Sequence, residues 1–97
     1  MLIIVRKIWF EELRSGAKRV EYRRCGRMFN ERVCYIGRPV AFAYRRDRAG
    51  PRLTGVVTSF ATVPVLEMPE MLDIYPDMAA HAPIAAIGVD LDCWRSQ

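Results

Sequence analysis

Lys18, Glu21 and Arg23 stand in one short segment, S-G-A-K-R-V-E-Y-R-R from Ser15 to Arg24. Their types suit a polar or anionic ligand. A lysine ammonium is a compact donor, an arginine fork matches oxyanions bidentately, and a glutamate accepts hydrogen bonds or carries a proton. In an extended chain, side chains alternate between faces, so Arg19, Glu21 and Arg23 share one side and Val20 and Tyr22 the other. Facing a cleft, Glu21 and Arg23 make a charged, hydrogen-bonding floor; facing outward, they are a solvated ion pair of little consequence. Spacing alone leaves both readings open. Lys18 would fall on the opposite face of an uninterrupted strand, and joins the other two only from the turn after Gly16 or through a bulge.

The elements around this segment follow from periodicity and punctuation. Leu2 to Arg6 reads as a first strand. Lys7 to Ser15 reads as a short helix with Ile8 and Glu12 on one side and Trp9 and Leu13 on another, closed by Gly16 in a left-handed cap. Trp9, Phe10 and Leu13 are candidate core. Cys25 to Gly37 lacks sustained periodicity and is expected to be a loop, with one helical turn at Met28 to Arg32, forming a candidate flap over the cleft. Pro39 to Arg45 alternates as a strand with Val40, Phe42 and Tyr44 on one face. R-R-D-R-A-G-P-R, from Arg45 to Arg52, carries turn chemistry at Asp47, Gly50 and Pro51. Leu53 to Pro64 is β-branched and long enough to bend, with Gly55 the expected position. Leu66 to Leu72 suggests a short helix interrupted near Pro69, and Ile84 to Asp92 an apolar, central last strand.

The 97 residues suffice for one domain, 1–97, with a single core, and 52% hydrophobic with 27% charged residues is a globular composition. No stretch approaches the length of a membrane span, and Arg6 and Lys7 interrupt the apolar start, so no membrane partner, no targeting segment and a cytoplasmic location are expected. Cys25, Cys34 and Cys93 show neither a disulfide framework nor zinc spacing, and Cys34 reads as a core residue. His81, the lone histidine, reads as structural or surface, and Met68, Met71 and Met78 as gap-fillers. No metal site is indicated, and the cofactor is unknown.

The net charge of +4 conceals an asymmetry. Residues 1–52 carry 14 Lys and Arg against 5 acids, or +9, whereas residues 53–97 carry 1 against 6, or −5. Thirteen of the fifteen basic residues are arginine, which favours phosphate contact and base stacking. Either the halves neutralise one another in the fold or the basic half awaits an anionic partner. Tyrosines and phenylalanines interspersed among the arginines favour RNA or a nucleotide. The arginines of the Arg45–Arg52 turn, Arg45, Arg46, Arg48 and Arg52, are the candidate nucleic-acid backbone contacts.

The order Gly16, Lys18, Glu21 and Arg23 resembles the G-x-K-x-x-E-x-R signature of the ASCH family of small PUA-like barrels, related to RNA-binding and RNA-modifying domains. W-F-E-E-L-R-S-G is similar to that family's first helix. Phe29 and Arg32 resemble its aromatic-x-x-Arg, and Tyr44 its strand-closing tyrosine. D-I-Y-P at Asp73 to Pro76, with the apolar Pro83 to Leu91, resembles its closing loop and last strand. The resemblance implies an α+β fold, a PUA-like β-barrel of five or six mostly antiparallel strands with one or two short helices.

Function is then expected in the barrel cleft, as recognition of single-stranded RNA or a modified nucleotide, with ribonuclease activity in some members. Lys18, Glu21, Arg23, Arg32 and Tyr44 would bind the ligand: the cations at phosphate or base oxygens, Tyr44 by stacking, and Glu21 at a base amino group. Lys18 and Glu21 are the candidate catalytic pair. One branch of the family deacylates N4-acetylcytidine with a lysine and a threonine in the motif, but Glu21 stands at the threonine position and removes that hydroxyl. A non-catalytic module offering its arginines to an acidic protein is the remaining class.

Overall fold

The computed structural model describes residues 1–79 and 81–95. These described residues form an α+β domain of five strands and three short helices. The strands are β1 (Leu2–Ile4), β2 (Val20–Arg24), β3 (Pro39–Ala43), β4 (Leu53–Pro64) and β5 (Pro83–Leu91). The helices are α1 (Lys7–Ser15), α2 (Met71–Ile74) and α3 (Asp92–Arg95), with a 3-10 turn at Val65–Glu67 ahead of α2. One mixed sheet runs β1-β3-β4-β5-β2. β1 lies parallel to β3, and every other neighbouring pair is antiparallel.

The sheet is not closed into a barrel. β1 and β2 are its two edges, with no ladder between them. Val5 N–H donates to Ala43 and Met1 carbonyl accepts from Ala41, so alternate residues of β1 bond to β3 and the Ile4 carbonyl points to the free side. That carbonyl is taken by the Arg23 side chain of β2. A guanidinium thus spans the seam where a closed barrel would carry backbone bonds.

α1 forms where its periodicity places it and buries Phe10 and Leu13. Gly16 closes it at φ 87°, its N–H bonded to Leu13 carbonyl, a conformation that a Cβ would oppose. Ile3, Leu13, Phe42, Val57, Ile87 and Leu91 are among the fully buried side chains of the main core. A smaller cluster of Val65, Met71 and Ile84, with Tyr22, Met68 and Met78 against it, fixes α2 beside the sheet. The methionines at 68, 71 and 78 therefore do fill gaps, and Cys34 is core.

Several local expectations change. β1 ends at Ile4, two residues before Arg6, and β3 ends at Ala43, before Arg45. The single helical turn expected at Met28 to Arg32 forms slightly later, where Cys34 N–H donates to Asn30 carbonyl at 2.8 Å. The Asn30 side chain supports it, donating to Gly26 and Arg27 carbonyls and accepting from Arg32 and Val33 amides. The irregularity in β4 lies between Val57 and Ser59, not at Gly55. Gly55 has a different role: a Cβ there would stand 2.1 Å from Asp90 carbonyl oxygen. The third helix, α3, is held by tertiary contacts, since the Trp94 indole donates to Leu13 carbonyl at 2.7 Å. Among the described residues, no helix is long and apolar enough to cross a membrane.

Candidate functional site

β2 is where the charged face turns inward. Its register pairs Glu21 with Ile87 and Arg23 with Ala85, and directly opposed residues share a face. Glu21 therefore lies on the same side as two fully buried β5 residues and is itself only 1% exposed. The strand begins at Val20, so Lys18 belongs to the turn after Gly16, where its N–H donates to Glu12 carbonyl. The turn removes the geometric obstacle of alternation and returns the Lys18 side chain to the Glu21 side.

A carboxylate this buried must be compensated. Arg23 donates to Glu21 Oε2 twice, from Nε at 3.0 Å and Nη2 at 2.9 Å. Lys18 Nζ lies 3.3 Å from Oε1. Each oxygen thus has its own cation, and among the described residues no buried side-chain polar atom lacks a partner. Arg23 Nη2 also donates to Ile4 carbonyl at 2.6 Å, and its guanidinium covers the Phe29 ring at 5.6 Å. Arg23 is therefore committed to the fold. Lys18 has one carboxylate contact for three donors, and its ammonium sits 5.5 Å from the Trp9 ring centre and 5.4 Å from that of Tyr22.

These side chains line a cleft of about 360 Å³. Arg6 and Trp9 enter from the β1–α1 junction, with the Arg6 guanidinium 5.1 Å from the Trp9 ring centre. Lys18, Glu21 and Tyr22 form the β2 wall, and Met68, Glu70, Met71, Asp73 and Ile74 close the far side. The walls differ in charge. Arg6 and Lys18 come from the α1 and β2 segments, where Glu21 is already paired, and Glu70 and Asp73 come from the α2 segment, with aromatic, methionine and isoleucine side chains also in the lining.

The structure brings Lys18, Glu21 and Arg23 together but leaves other candidates elsewhere. Arg32 is exposed on the 25–37 loop and does not line the cleft, and neither does any other residue of that loop, which is therefore no flap. Tyr44 packs edge-on to Phe10 at 5.0 Å, with Lys7 over its ring. In the Arg45–Arg52 turn, Arg45 binds Asp47 through two bonds and Arg52 donates to the carbonyls of Asp47, Gly50 and Pro51. Two of the four arginines thus build the turn. Arg46 and Arg48 are exposed and make no ion pair among the described residues.

The hydrogen bond from Arg45 holds the Asp47 carboxyl below its usual range, and Arg24 does the same for Asp77. Burial pushes the Cys25 and Cys34 thiols up, and His81 is exposed. Sequence reasoning did not place Arg6, Trp9, Glu70 or Asp73 at the site. Only an aromatic beside a cation at Arg6–Trp9 hinted at it; the α2 carboxylates reach the cleft through the chain's return between β4 and β5. No family model matches the chain, and no curated protein or solved structure is detectably similar to it.

Proposed function

We propose that the cleft binds one nucleotide of a single-stranded RNA, with the remaining strand held by surface arginines. The observation that carries this reading is the setting of Lys18: an ammonium fixed by a buried carboxylate between two aromatic rings, with spare donors and the Arg6 guanidinium on the same wall. A base stacks on aromatic surface while phosphate oxygens take cationic donors. The unneutralised charge supports it. Arg24–Asp77, at 2.8 Å, is the one ion pair among the described residues that joins the basic half to the acidic half. The two halves therefore do not cancel, and exposed arginines such as Arg27, Arg32, Arg46 and Arg48 stay available to an anion.

The likeness to ASCH and PUA-like domains, carried by Gly16, Lys18, Glu21 and Arg23, agrees with this reading, and an open sheet whose edges meet at Arg23 is compatible with a barrel that closes incompletely. Binding comes before hydrolysis in the proposal. Among the described residues, no serine, threonine or cysteine lines the cleft, and both oxygens of Glu21 are engaged by Arg23 and Lys18.

Fluorescence titration with short single-stranded RNA tests this. Contacts to about four phosphates give a log-log salt slope near −3. Tighter binding to RNA than to duplex DNA, with that salt dependence, is expected; no RNA binding at low salt overturns the reading.

A further inference from the structure

The same cleft bears on which base it accepts. The carboxylate expected to face a base amino group, Glu21, is buried and has a cation on each oxygen, so it is committed to Arg23 and Lys18. Two other carboxylates are not. Glu70 precedes α2 and Asp73 lies within its first turn, three residues apart and so on one side of it; both line the cleft and both are exposed. Neither side chain has a hydrogen bond or ion pair among the described residues, and neither caps the helix. Their charge thus serves no evident purpose in the fold. They line the same cleft as Arg6 and Lys18, together with Trp9, Tyr22 and Met71, and no ion pair joins them to either cation.

A ligand in this cleft meets donors from Arg6 and Lys18 and acceptors from Glu70 and Asp73. Phosphate belongs at the cationic wall. The base edge reaching Glu70 and Asp73 must then present donors, because a carbonyl oxygen there would face two anions. We infer that Glu70 and Asp73 are specificity-determining residues that select a nucleotide whose base carries an exocyclic amino group, as cytosine and adenine do, against one with a keto oxygen in its place, as in uracil and hypoxanthine. This rests on the nucleotide reading of the cleft. The pair cytosine and uracil tests the exocyclic position, since the rings match in size and stacking; cytosine offers N4–H2 where uracil has O4, and uracil's own donor, N3–H, lies between two carbonyl oxygens that carboxylates repel.

The test measures binding of CMP, UMP, AMP and IMP to the full chain by NMR titration of the backbone amides at low salt. CMP is expected to bind about tenfold more tightly than UMP, and AMP than IMP by a similar factor, the discrimination of one good base-edge contact. In the double variant Glu70→Ala/Asp73→Ala, whose fold the same spectra report, the CMP to UMP ratio falls to within about twofold of unity while UMP binding holds or tightens. Equal binding of CMP and UMP by the parent overturns the inference and leaves the nucleotide reading standing; so does a ratio that survives the double variant. Should that variant not fold, the AMP and IMP comparison on the parent decides. Absence of binding by all four, with shifts in no cleft residue, overturns the nucleotide reading together with this one.

Discussion

Replacing members of the Lys18–Glu21–Arg23 cluster one at a time separates scaffold from site. Glu21 is 1% exposed and Arg23 21%, and Arg23 joins the two edges of the sheet through Ile4. Substituting Arg23→Met leaves the buried Glu21 with only the more distant Lys18 and strips Ile4 carbonyl of its donor. Breaking a buried pair from one side costs about 3–5 kcal/mol. Some exposure of Arg23 discounts this, so the lower end, about 3 kcal/mol, is expected. Glu21→Gln keeps shape and one acceptor but removes the charge shared by two cations, for a loss of about 2 kcal/mol. Lys18→Met retains the stem between Trp9 and Tyr22 and leaves Glu21 Oε2 its two Arg23 bonds while Oε1 loses its cation, so about 1 kcal/mol is expected, the low end for a buried acceptor losing its partner. Urea unfolding followed by tryptophan fluorescence reads these directly. With an m-value near 1 kcal/mol per M for a domain this small, the midpoints fall by about 3, 2 and 1 M in that order. Nucleotide binding runs in another order: Lys18→Met loses it while remaining folded. If Lys18→Met destabilises more than Arg23→Met, or Glu21→Gln leaves the midpoint unmoved, the division into a structural arginine and a ligand-facing lysine is wrong.

Other outcomes follow from single positions. Gly55→Ala places a methyl 2.1 Å from Asp90 carbonyl oxygen and 2.8 Å from Leu91 Cα, both backbone, so β4 and β5 must separate; a loss of at least about 2 kcal/mol in urea unfolding is expected, and a neutral variant refutes the close approach. Asp47 is held below its ordinary value of 3.8 first by the hydrogen bond from Arg45. A depressed carboxyl stabilises the turn above the unfolded value and loses that contribution as pH falls through the folded one, so the order of the Arg45–Arg52 turn should persist below pH 3.8. Carboxyl NMR titration should give Asp47 a midpoint under 3.8 that rises toward that value in Arg45→Met, the Gly50 and Ala49 amides still holding part of the shift; identical midpoints in the two proteins refute the pairing.

Local sequence determined the pieces whose signals are short-range. α1 and its glycine cap were legible because apolar spacing and a left-handed terminus are properties of adjacent residues, and β4 and β5 because their runs are long and β-branched or apolar. The motif was legible as a cluster of chemistry, and so was the charge asymmetry. What tertiary structure decided was direction and company. A strand with Val20 and Tyr22 on one face and Glu21 and Arg23 on the other does not announce which side is buried; pairing with Ile87 and Ala85 of β5, more than sixty residues away, turned the charges inward. The open seam between β1 and β2, bridged by Arg23, likewise depends on two edges that sequence places far from adjacency in space. No local signal set Glu70 and Asp73 beside the motif, and α2 carried them to the cleft, while Tyr44 and Arg32 were drawn elsewhere by Phe10 and by the Asn30-centred loop. Residue types and spacing state which chemistry a chain can perform; long-range register and packing select which of those residues meet, because that selection rests on contacts no local window contains.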